Sequence, residues 1–338
     1  MTNIEMLENT LPIAPLKLIA MESCKPLGQK VNDYIVSFRE NTINEVTESP
    51  LYRNYKANNY QVDCSCPRFG SGEAKGILKE TIRGTDLFIM TDVCNYSLTY
   101  TVNGHLNHMS PDDHYQDLKR IIAAATGKAR RINVIMPFLY ESRQHKRTSR
   151  EVPDLKADKE HLMIISPDEG AMHRAVYFSN VLGVDMGMFY KRRDYSTVVN
   201  GKNPIVAHEF LGDDVTGKDV LIVDDMISSG ESMLDVAKQL KERKAGRVFV
   251  CTTFGLFTDG FDKFDEYYNK GYISKVITTN LTYLPPELYE KPYFVKADMS
   301  KFIALIIDSL NHDVPISSVI SPTDKIHALL EKREKGLL

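Results

Sequence analysis

Long apolar runs, an excess of basic residues and abundant cysteine are all missing from this sequence of 338 residues. No stretch approaches the roughly 20 apolar residues that a membrane-spanning helix needs, so no membrane segment is expected. The formal net charge of −3 argues against a protein that coats nucleic acid. Five cysteines fit a reducing compartment. Because the N-terminus lacks a basic start followed by an apolar core, the protein is expected in the cytoplasm.

Apolar runs of strand length alternate with helical patterns twice along the chain. This alternation, together with the length, predicts an α/β fold of two domains, each a mostly parallel sheet flanked by helices. A proline- and charge-bearing stretch near residues 154–158 marks the expected boundary. The expected parts are an N-terminal domain (1–157), a C-terminal domain (158–317) and a charged helical tail (318–338). Residues 94–113 are polar and are expected to form an inserted loop.

The most informative stretch is residues 220–232, which read VLIVDDMISSGES. Its four leading apolar residues predict a strand buried on both faces. Asp224 and Asp225 follow, and a loop of small residues then leads into a helical pattern. The small residues are Ser228, Ser229, Gly230 and Ser232. A helix start binds anions, whereas two acids beside it need sugar hydroxyls or Mg²⁺ as partners. The stretch therefore predicts a sugar-phosphate site; the alternative is an ordinary strand–turn–helix.

Four other stretches carry groups that suit phosphate chemistry. The loop 166–174, between a predicted strand and helix, can offer backbone N–H groups to a pyrophosphate, with Asp168 facing a metal. Lys191, Arg192 and Arg193 follow the next predicted strand, 186–190, and can neutralise transferring phosphates. A basic stretch at 143–147 and a glycine-punctuated turn at 68–73 complete the set. Taken singly, each basic cluster is more often a solvated surface.

Taken together and in this order, these stretches resemble the ribose-phosphate pyrophosphokinase family, also called phosphoribosyl pyrophosphate synthetases. The resemblance runs from Leu16 to about Ser317. The matching motifs are Ile82-Arg83-Gly84-Thr85-Asp86, Arg143-Gln144, Ser166-Pro167-Asp168, Lys191-Arg192-Arg193 and Asp224-Asp225. It implies two tandem phosphoribosyltransferase-like domains and a homo-oligomer, commonly a hexamer built from dimers. It also implies transfer of the diphosphoryl group of ATP to the C1 hydroxyl of ribose 5-phosphate, with Mg²⁺ as cofactor.

The resemblance also implies a role for particular residues. Ribose 5-phosphate would be bound by the central stretch, through Asp224, Asp225, Ser228, Ser229, Gly230 and Ser232. ATP would be bound by Phe69, Glu73, Arg143 and Gln144, the first two reaching from a neighbouring subunit. Asp168 would lie at the metal site. Lys191 and Arg193, on a mobile loop, would stabilise the transition state, in keeping with a reaction that needs positioning and cations more than a covalent nucleophile.

The sequence departs from the family pattern at three places. Ser71 and His145 stand where members carry acids. Members also carry a longer segment before the Ser-Pro-Asp loop, with a strand ending in an Asp-x-His motif that holds Mg²⁺ and ATP, whereas this chain passes from Glu151 to His161 without one. Either a segment is missing from the sequence, or the protein is a shortened, inactive member. The first is favoured, because losing a central strand and helix would open the core of the first domain.

Three functions are therefore in competition. An enzyme that makes 5-phosphoribosyl 1-diphosphate leads. A non-catalytic regulatory subunit that binds an active homologue is supported by Ser71 and by the absent motif, and opposed by the intact Lys191-Arg192-Arg193 motif. A phosphoribosyltransferase, which would consume the diphosphate, is opposed by the two-domain length and by Arg143-Gln144.

Overall fold

The computed structural model describes residues 10–40, 55–141, 161–193, 205–320 and 323–335. The chain divides into two compact units, each described separately below. The first comprises Met1–Lys146, Asn280–Tyr283 and Asp298–Pro322, and the second comprises Arg147–Thr279, Leu284–Ala297 and Thr323–Leu338. Within the described residues, no helix combines the length and apolar character required to cross a membrane.

The first unit contains a parallel sheet of three strands among its described residues, in the order β1-β4-β7. Two antiparallel hairpins, β2–β3 and β5–β6, accompany it. Its strands are β1 (Leu16–Ala20), β2 (Cys64–Ser65), β3 (Ile77–Leu78), β4 (Asp86–Met90), β5 (Thr99–Val102), β6 (His105–His108) and β7 (Arg131–Ile135). Its helices are α1 (Lys25–Glu40), α2 (Pro111–Ala125), α6 (Ser300–Asn311) and α7 (Ser317–Ile320). Three strands already bury a core here, since Leu18, Ile19, Phe88 and Ile89 are fully buried.

The second unit contains a seven-stranded sheet among its described residues, in the order β10-β9-β8-β11-β12-β13-β14. All neighbouring strands are parallel except β9 and β10. The strands are β8 (Leu162–Ser166), β9 (Asp185–Arg193), β10 (Ile205–Leu211), β11 (Asp219–Ile227), β12 (Val248–Gly255), β13 (Lys275–Thr279) and β14 (Phe294–Ala297). The helices are α3 (Met172–Leu182), α4 (Glu231–Glu242), α5 (Asp262–Asn269) and α8 (Thr323–Glu334).

Both faces of this second sheet are covered, as the unbroken apolar run at 220–223 predicts. Val220 and Ile222 belong to a core that includes Val236 and Ala237 of α4. Leu221 and Val223 point the other way, into a core shared with α3. Successive residues of a strand face opposite sides, so a strand between two helical layers must be apolar at every position.

The helix α6 joins the first unit, whereas residues up to 317 were expected in the C-terminal domain. Ile303, Ala304 and Ile307 of α6 lie in one core with Val31 and Ile35 of α1. The boundary therefore differs from the expected one, because the apolar face of α6 finds its partner near the start of the chain. The tail splits as well, since α7 belongs to the first unit and α8 to the second.

The polar stretch 94–113 is not a simple loop. It contains the hairpin β5–β6, joined by Asn103 and Gly104, which both have positive φ. His114, at the start of α2, is buried and donates a hydrogen bond from Nε2 to the Asn95 carbonyl oxygen, 2.7 Å away. The insertion is therefore an ordered element anchored to α2.

A buried ion pair fastens α6 to α1. The side chains of Arg39 and Asp308 are only 1% and 3% exposed, and Arg39 Nη2 lies 2.6 Å from Asp308 Oδ1. The same nitrogen donates to Asn311 Oδ1 at 2.7 Å, and the guanidinium lies 4.5 and 5.0 Å from the ring centroids of Tyr55 and Tyr60. The charge is thus satisfied by an acid, an amide and two aromatic faces.

Replacing Arg39 by Met should lower the free energy of unfolding by about 3–5 kcal/mol, because Asp308 is left buried without a counter-charge. The double variant Arg39→Met/Asp308→Leu should recover most of that loss, as measured by urea unfolding. Lys270→Met removes the exposed pair between Lys270 and Glu266 and should leave the unfolding midpoint unchanged. Equal losses in the single and double variants would show that the unpaired charge of Asp308 is not the cause of the loss.

Candidate functional site

The two acids of the central stretch lie at the end of β11, which extends to Ile227 rather than ending at residue 223. Asp224 pairs with Thr252 and Met226 with Phe254 in the parallel ladder with β12. The backbone of the acids is therefore held by the sheet. Asp224 Oδ1 also accepts a hydrogen bond from the Asp225 N–H at 2.8 Å. Both carboxylates consequently start from rigid strand positions at the carboxyl edge of the sheet.

The small-residue loop that follows has the shape of an anion site. Gly230 precedes α4 with a φ of 86°, and a Cβ there would come within 2.3 Å of the Phe264 ring, so only glycine fits. Ser229 Oγ accepts from the Glu231 N–H at 3.4 Å, and the Ser228 carbonyl accepts from the Thr258 N–H at 3.0 Å. The N–H groups of the first turn of α4 and the dipole of this helix favour an anion.

One acid in this loop would oppose a phosphate unless it were paired. Glu231 is the first residue of α4, and its carboxylate lies 2.5 Å from Lys263 Nζ. This exposed ion pair directs the charge of Glu231 towards α5. The loop can therefore keep its preference for a phosphate.

The loop after β8 has a similar form. Ser166 is buried and its hydroxyl donates to the Asp168 carbonyl oxygen at 2.7 Å. Asp168 caps the short 3₁₀ helix Glu169–Ala171, since its Oδ1 accepts from the Ala171 N–H at 3.1 Å. Because β8 and β11 are parallel neighbours, this loop and the acids of β11 lie at the same edge of the sheet.

The side chain of Arg174 links α3, the helix that follows the Asp168 loop, to the acids of β11. Arg174 of α3 places Nη1 2.8 Å from Asp224 Oδ1 and Nη2 3.2 Å from Asp225 Oδ2. Burial and the repulsion of Asp225 raise the pKa of Asp224 to about 7, against the opposing effects of the Asp225 N–H and Arg174. Asp168 also raises this pKa, although less, so three carboxylates share one electrostatic environment. The sequence pattern gave Arg174 no role, although its place in the first turn of the helix after Asp168 was a usable signal.

These acids suit a magnesium ion that is held partly by water and substrate better than a metal held by protein ligands alone. Within the described parts of the chain, no group of three or more histidine, cysteine, aspartate or glutamate side chains is placed to hold a metal. Mg²⁺ commonly binds through one or two carboxylates together with waters and substrate phosphates. The carboxylate oxygens of Asp168 are ligands of the right kind, and a cation bound there would relieve the mutual repulsion of the acids.

Lys191 and Arg193 lie in a strand rather than on a loop. They belong to the last part of β9, where Lys191 pairs with His208 and Arg193 with Ile205 of β10. The prediction that their backbone is in a loop is therefore wrong, because β9 continues three residues past residue 190. The polar stretch that follows them, 194–203, lies outside the described residues. Their assigned chemical roles stay a prediction.

The Phe69 turn belongs to the first unit. Its two sides pair through a bridge between Arg68 and Ala74, and the Phe69 N–H donates to the Glu73 carbonyl oxygen at 2.7 Å. Arg68 is anchored by two hydrogen bonds to Asp117, at 2.7 and 3.1 Å. Phe69 is 55% exposed at the tip. A rigid turn that presents a large aromatic side chain to solvent suits contact with another molecule.

The structure brings Asp168 together with the predicted residues of the central stretch. Asp168, Asp224, Asp225 and the serine–glycine loop lie at one edge of the second sheet, with Ser232 in the first turn of α4. Phe69 and Glu73 lie in the other unit. Arg143 and Gln144 lie outside the described residues. A strand, two acids and an anion loop, followed by a helix at the carboxyl edge of a parallel sheet, define a phosphoribosyltransferase-type site.

Comparisons with known proteins agree with this class of site and point to one family within the class. Residues 16–162 match the family model described as the N-terminal domain of ribose phosphate pyrophosphokinase, and residues 143–283 match the phosphoribosyl transferase domain. A ribose-phosphate pyrophosphokinase of Shewanella oneidensis is 26% identical over 310 residues, covering 77% of this chain and 91% of the relative. One from Pyrococcus abyssi is 36% identical over 121 residues, covering 36% of this chain and 40% of the relative.

The fold agrees over a similar span. The crystal structure of phosphoribosylpyrophosphate synthetase from Mycobacterium smegmatis matches with a TM-score of 0.62 at 18% identity, covering 88% of this chain and 99% of that one. The two units are therefore tandem phosphoribosyltransferase-type domains, as the resemblance implied. The chain belongs to the ribose-phosphate pyrophosphokinase family.

Asp225→Asn should stabilise the protein in a pH-dependent way. A raised pKa means that the folded state favours protonated Asp224, so its contribution to stability is full below about pH 4 and is lost as pH rises through about 7. Removing Asp225 removes the second-largest cause of that shift. The variant should therefore exceed the parent in free energy of unfolding by more at about pH 8 than at about pH 5.

Urea unfolding at the two pH values measures this difference. Asp213→Asn, which removes an exposed acid outside the site, should show the same small change at both. A pH-independent difference for Asp225→Asn would mean that the two carboxylates do not interact strongly.

Proposed function

We propose that the protein is a ribose-phosphate diphosphokinase that makes 5-phosphoribosyl 1-diphosphate and AMP from ribose 5-phosphate and ATP. In this reaction the C1 hydroxyl oxygen attacks the β-phosphorus of ATP, the bond from that phosphorus to the AMP oxygen breaks, and the hydroxyl proton is released. The observation that carries the proposal is the pair Asp224–Asp225 near the end of β11, followed by the Ser228–Gly230 anion loop and with Asp168 at the same sheet edge.

Ribose 5-phosphate suits the central stretch because its hydroxyls match the two carboxylates and its phosphate matches the anion loop. An ionised carboxylate accepts hydrogen bonds and donates none, so Asp224 and Asp225 can accept hydrogen bonds from the ribose hydroxyls. The hydroxyls of Ser228, Ser229 and Ser232 and the N–H groups around Gly230 can bind the 5-phosphate. A molecule with hydroxyls at one end and a phosphate at the other satisfies both parts.

The diphosphoryl group needs cations as charge moves during transfer. Mg²⁺, bound by Asp168 with the substrate phosphates, would neutralise part of that charge. We assign Lys191 and Arg193 to stabilise the transferring phosphates, from the resemblance of their motif and from their place at the carboxyl end of β9. Positioning and charge stabilisation account for most of the catalysis in reactions of this kind.

ATP is assigned to Phe69, Glu73, Arg143 and Gln144, with the Phe69 turn acting on a neighbouring subunit. The 55% exposure of Phe69 on a turn anchored through Arg68 supports a contact beyond its own chain. A shared site requires a homo-oligomer, and we propose a hexamer built from dimers. Free thiols at all five cysteines suit the reducing cytoplasm, where we place the reaction.

Release of AMP that requires both ATP and ribose 5-phosphate tests the activity. A phosphoribosyltransferase would give no AMP from this mixture, and a regulatory subunit would release none alone. Lys191→Ala, which should bind ribose 5-phosphate but turn over slowly, serves as the blank. No AMP above this blank from the parent protein would overturn the proposal.

Asp224→Asn with Asp225→Asn should weaken binding of ribose 5-phosphate by about 2–4 kcal/mol, because charge-assisted hydrogen bonds to its hydroxyls are lost. Isothermal titration measures the change. The adjacent exposed acids Asp213 and Asp214, replaced by Asn together, supply the control for removing two charges and should leave the affinity unchanged. Equal affinity for the parent and for the Asp224/Asp225 variant would remove the acids from the ribose site.

Mixed oligomers test whether the nucleotide site is shared. A mixture of Glu73→Ala and Arg143→Ala proteins should be more active than the sum of the two, because some interfaces then combine intact residues. A mixture of Glu73→Ala with Phe69→Ala, both on one turn, should restore nothing. If the first mixture never exceeds the sum, the turn does not act in trans.

A further inference from the structure

Arg174 is the one residue seen to contact both acids of the proposed ribose site among the parts of the chain that the structure describes. Its Nη1 lies 2.8 Å from Asp224 Oδ1, and its Nη2 lies 3.2 Å from Asp225 Oδ2. Its side chain is only 10% exposed. Such a guanidinium is held more firmly than a solvated surface arginine and keeps a fixed orientation.

The fold determines where this side chain can reach. Ala175, the next residue of α3, is fully buried, and Phe178 is 3% exposed. Both pack in one core with Leu221 and Val223 of β11. The helix therefore cannot slide along the strand without opening that core. Arg174 is thereby placed beside the acids that follow Val223.

The contacts use one oxygen of each acid. The guanidinium takes Oδ1 of Asp224 and Oδ2 of Asp225, and the Asp225 N–H also uses Oδ1 of Asp224. The second oxygens of the two carboxylates, Asp224 Oδ2 and Asp225 Oδ1, are the atoms that we assign to a ligand. Their directions are fixed because the opposite oxygens contact one planar group.

We propose that Arg174 is a positioning residue for ribose 5-phosphate, which aligns the two carboxylates so that their remaining oxygens accept the ribose hydroxyls. This inference rests on the proposed function. Arg174 acts through the acids and does not touch the sugar. Without the bridging cation, the two carboxylates repel each other and turn apart, so the site loses the spacing that fits neighbouring hydroxyls.

The inference distinguishes Arg174 from a generic positive charge. A lysine at this position supplies one compact charge on a flexible stem and cannot span two carboxylates in a fixed plane. Arg174→Lys should therefore bind ribose 5-phosphate more weakly than the parent, and Arg174→Met, which has no charge, should bind it more weakly still. ATP binding does not depend on the spacing of these acids and should be unaffected by either change.

The experiment measures the affinity of the full-length protein for ribose 5-phosphate and for ATP by isothermal titration, with steady-state KM and kcat alongside. Arg174→Met should weaken ribose 5-phosphate binding about 10- to 100-fold, the range expected for charge-assisted hydrogen bonds that depend on one group. Arg174→Lys should fall between this variant and the parent. The KM for ribose 5-phosphate should rise more than kcat falls, and the Kd for ATP should stay within about twofold of the parent.

Two further variants separate positioning from general stability. Arg247→Met breaks an arginine–aspartate pair at the start of β11, the strand that carries the two acids. Arg247 Nη2 lies 2.5 Å from Asp219 Oδ2 there, and the change should leave both affinities unchanged. In an Asp225→Asn background, Arg174→Met should weaken ribose 5-phosphate binding by a smaller factor than in the parent, because one of the two acids that it aligns is already gone.

The outcomes are distinct. A parent protein that binds no ribose 5-phosphate overturns both the proposed function and this inference. A parent that binds it, together with an Arg174→Met variant that binds equally well, overturns the inference alone. So do equal losses for ribose 5-phosphate and ATP, which would indicate a structural role, and an undiminished loss in the Asp225→Asn background, which would indicate direct contact with the ligand.

Discussion

The parallel pairing of β8 with β11 is the constraint on which the proposed site depends. Parallel neighbours end at the same edge of a sheet, so the loop after β8 and the acids of β11 must meet there. An antiparallel arrangement would send the two loops to opposite edges and leave each with half the groups needed. The apolar run at 220–223 secures this pairing, since every residue of it is buried between two helical layers.

The sequence was a good guide where local pattern decides structure and a poor one where distant contacts decide it. The buried strand at 220–223 and the helix after Gly230 followed from local patterns. The end of β11 did not, because Asp224 and Met226 are held in the ladder by Thr252 and Phe254, which no local pattern reveals. The same reason extends β9 through Lys191 and Arg193, whose partners are in β10.

Some of the other features that the sequence analysis did not predict had a signal in the sequence, and others had none. The hairpin β5–β6 turns on Asn103-Gly104, a strong two-residue hairpin signal that the polar composition of its strands obscured. Placement of α6 in the first unit had no such signal. Its amphipathic pattern predicts a helix, but the pair Arg39–Asp308 joins residues 269 positions apart in the chain. Arg174 falls between these cases, since the motif showed the residue but not which acids it would contact.

Under the proposed function, the acids of the site would serve binding at the expense of stability. Asp168, Asp224 and Asp225 share one edge, where Arg174 bridges the last two, and the burial of Asp224 makes its repulsion by the other acids stronger than it would be in water. Arg174 contacts one oxygen of each acid on β11, so it limits the repulsion without occupying the atoms that a ligand needs. A bound cation or a set of hydroxyl donors lowers the remaining repulsion, and the free energy released appears as affinity. On this proposal, substrate binding and the instability of the free site have the same source, the repulsion between the acids at the carboxyl edge of β8 and β11.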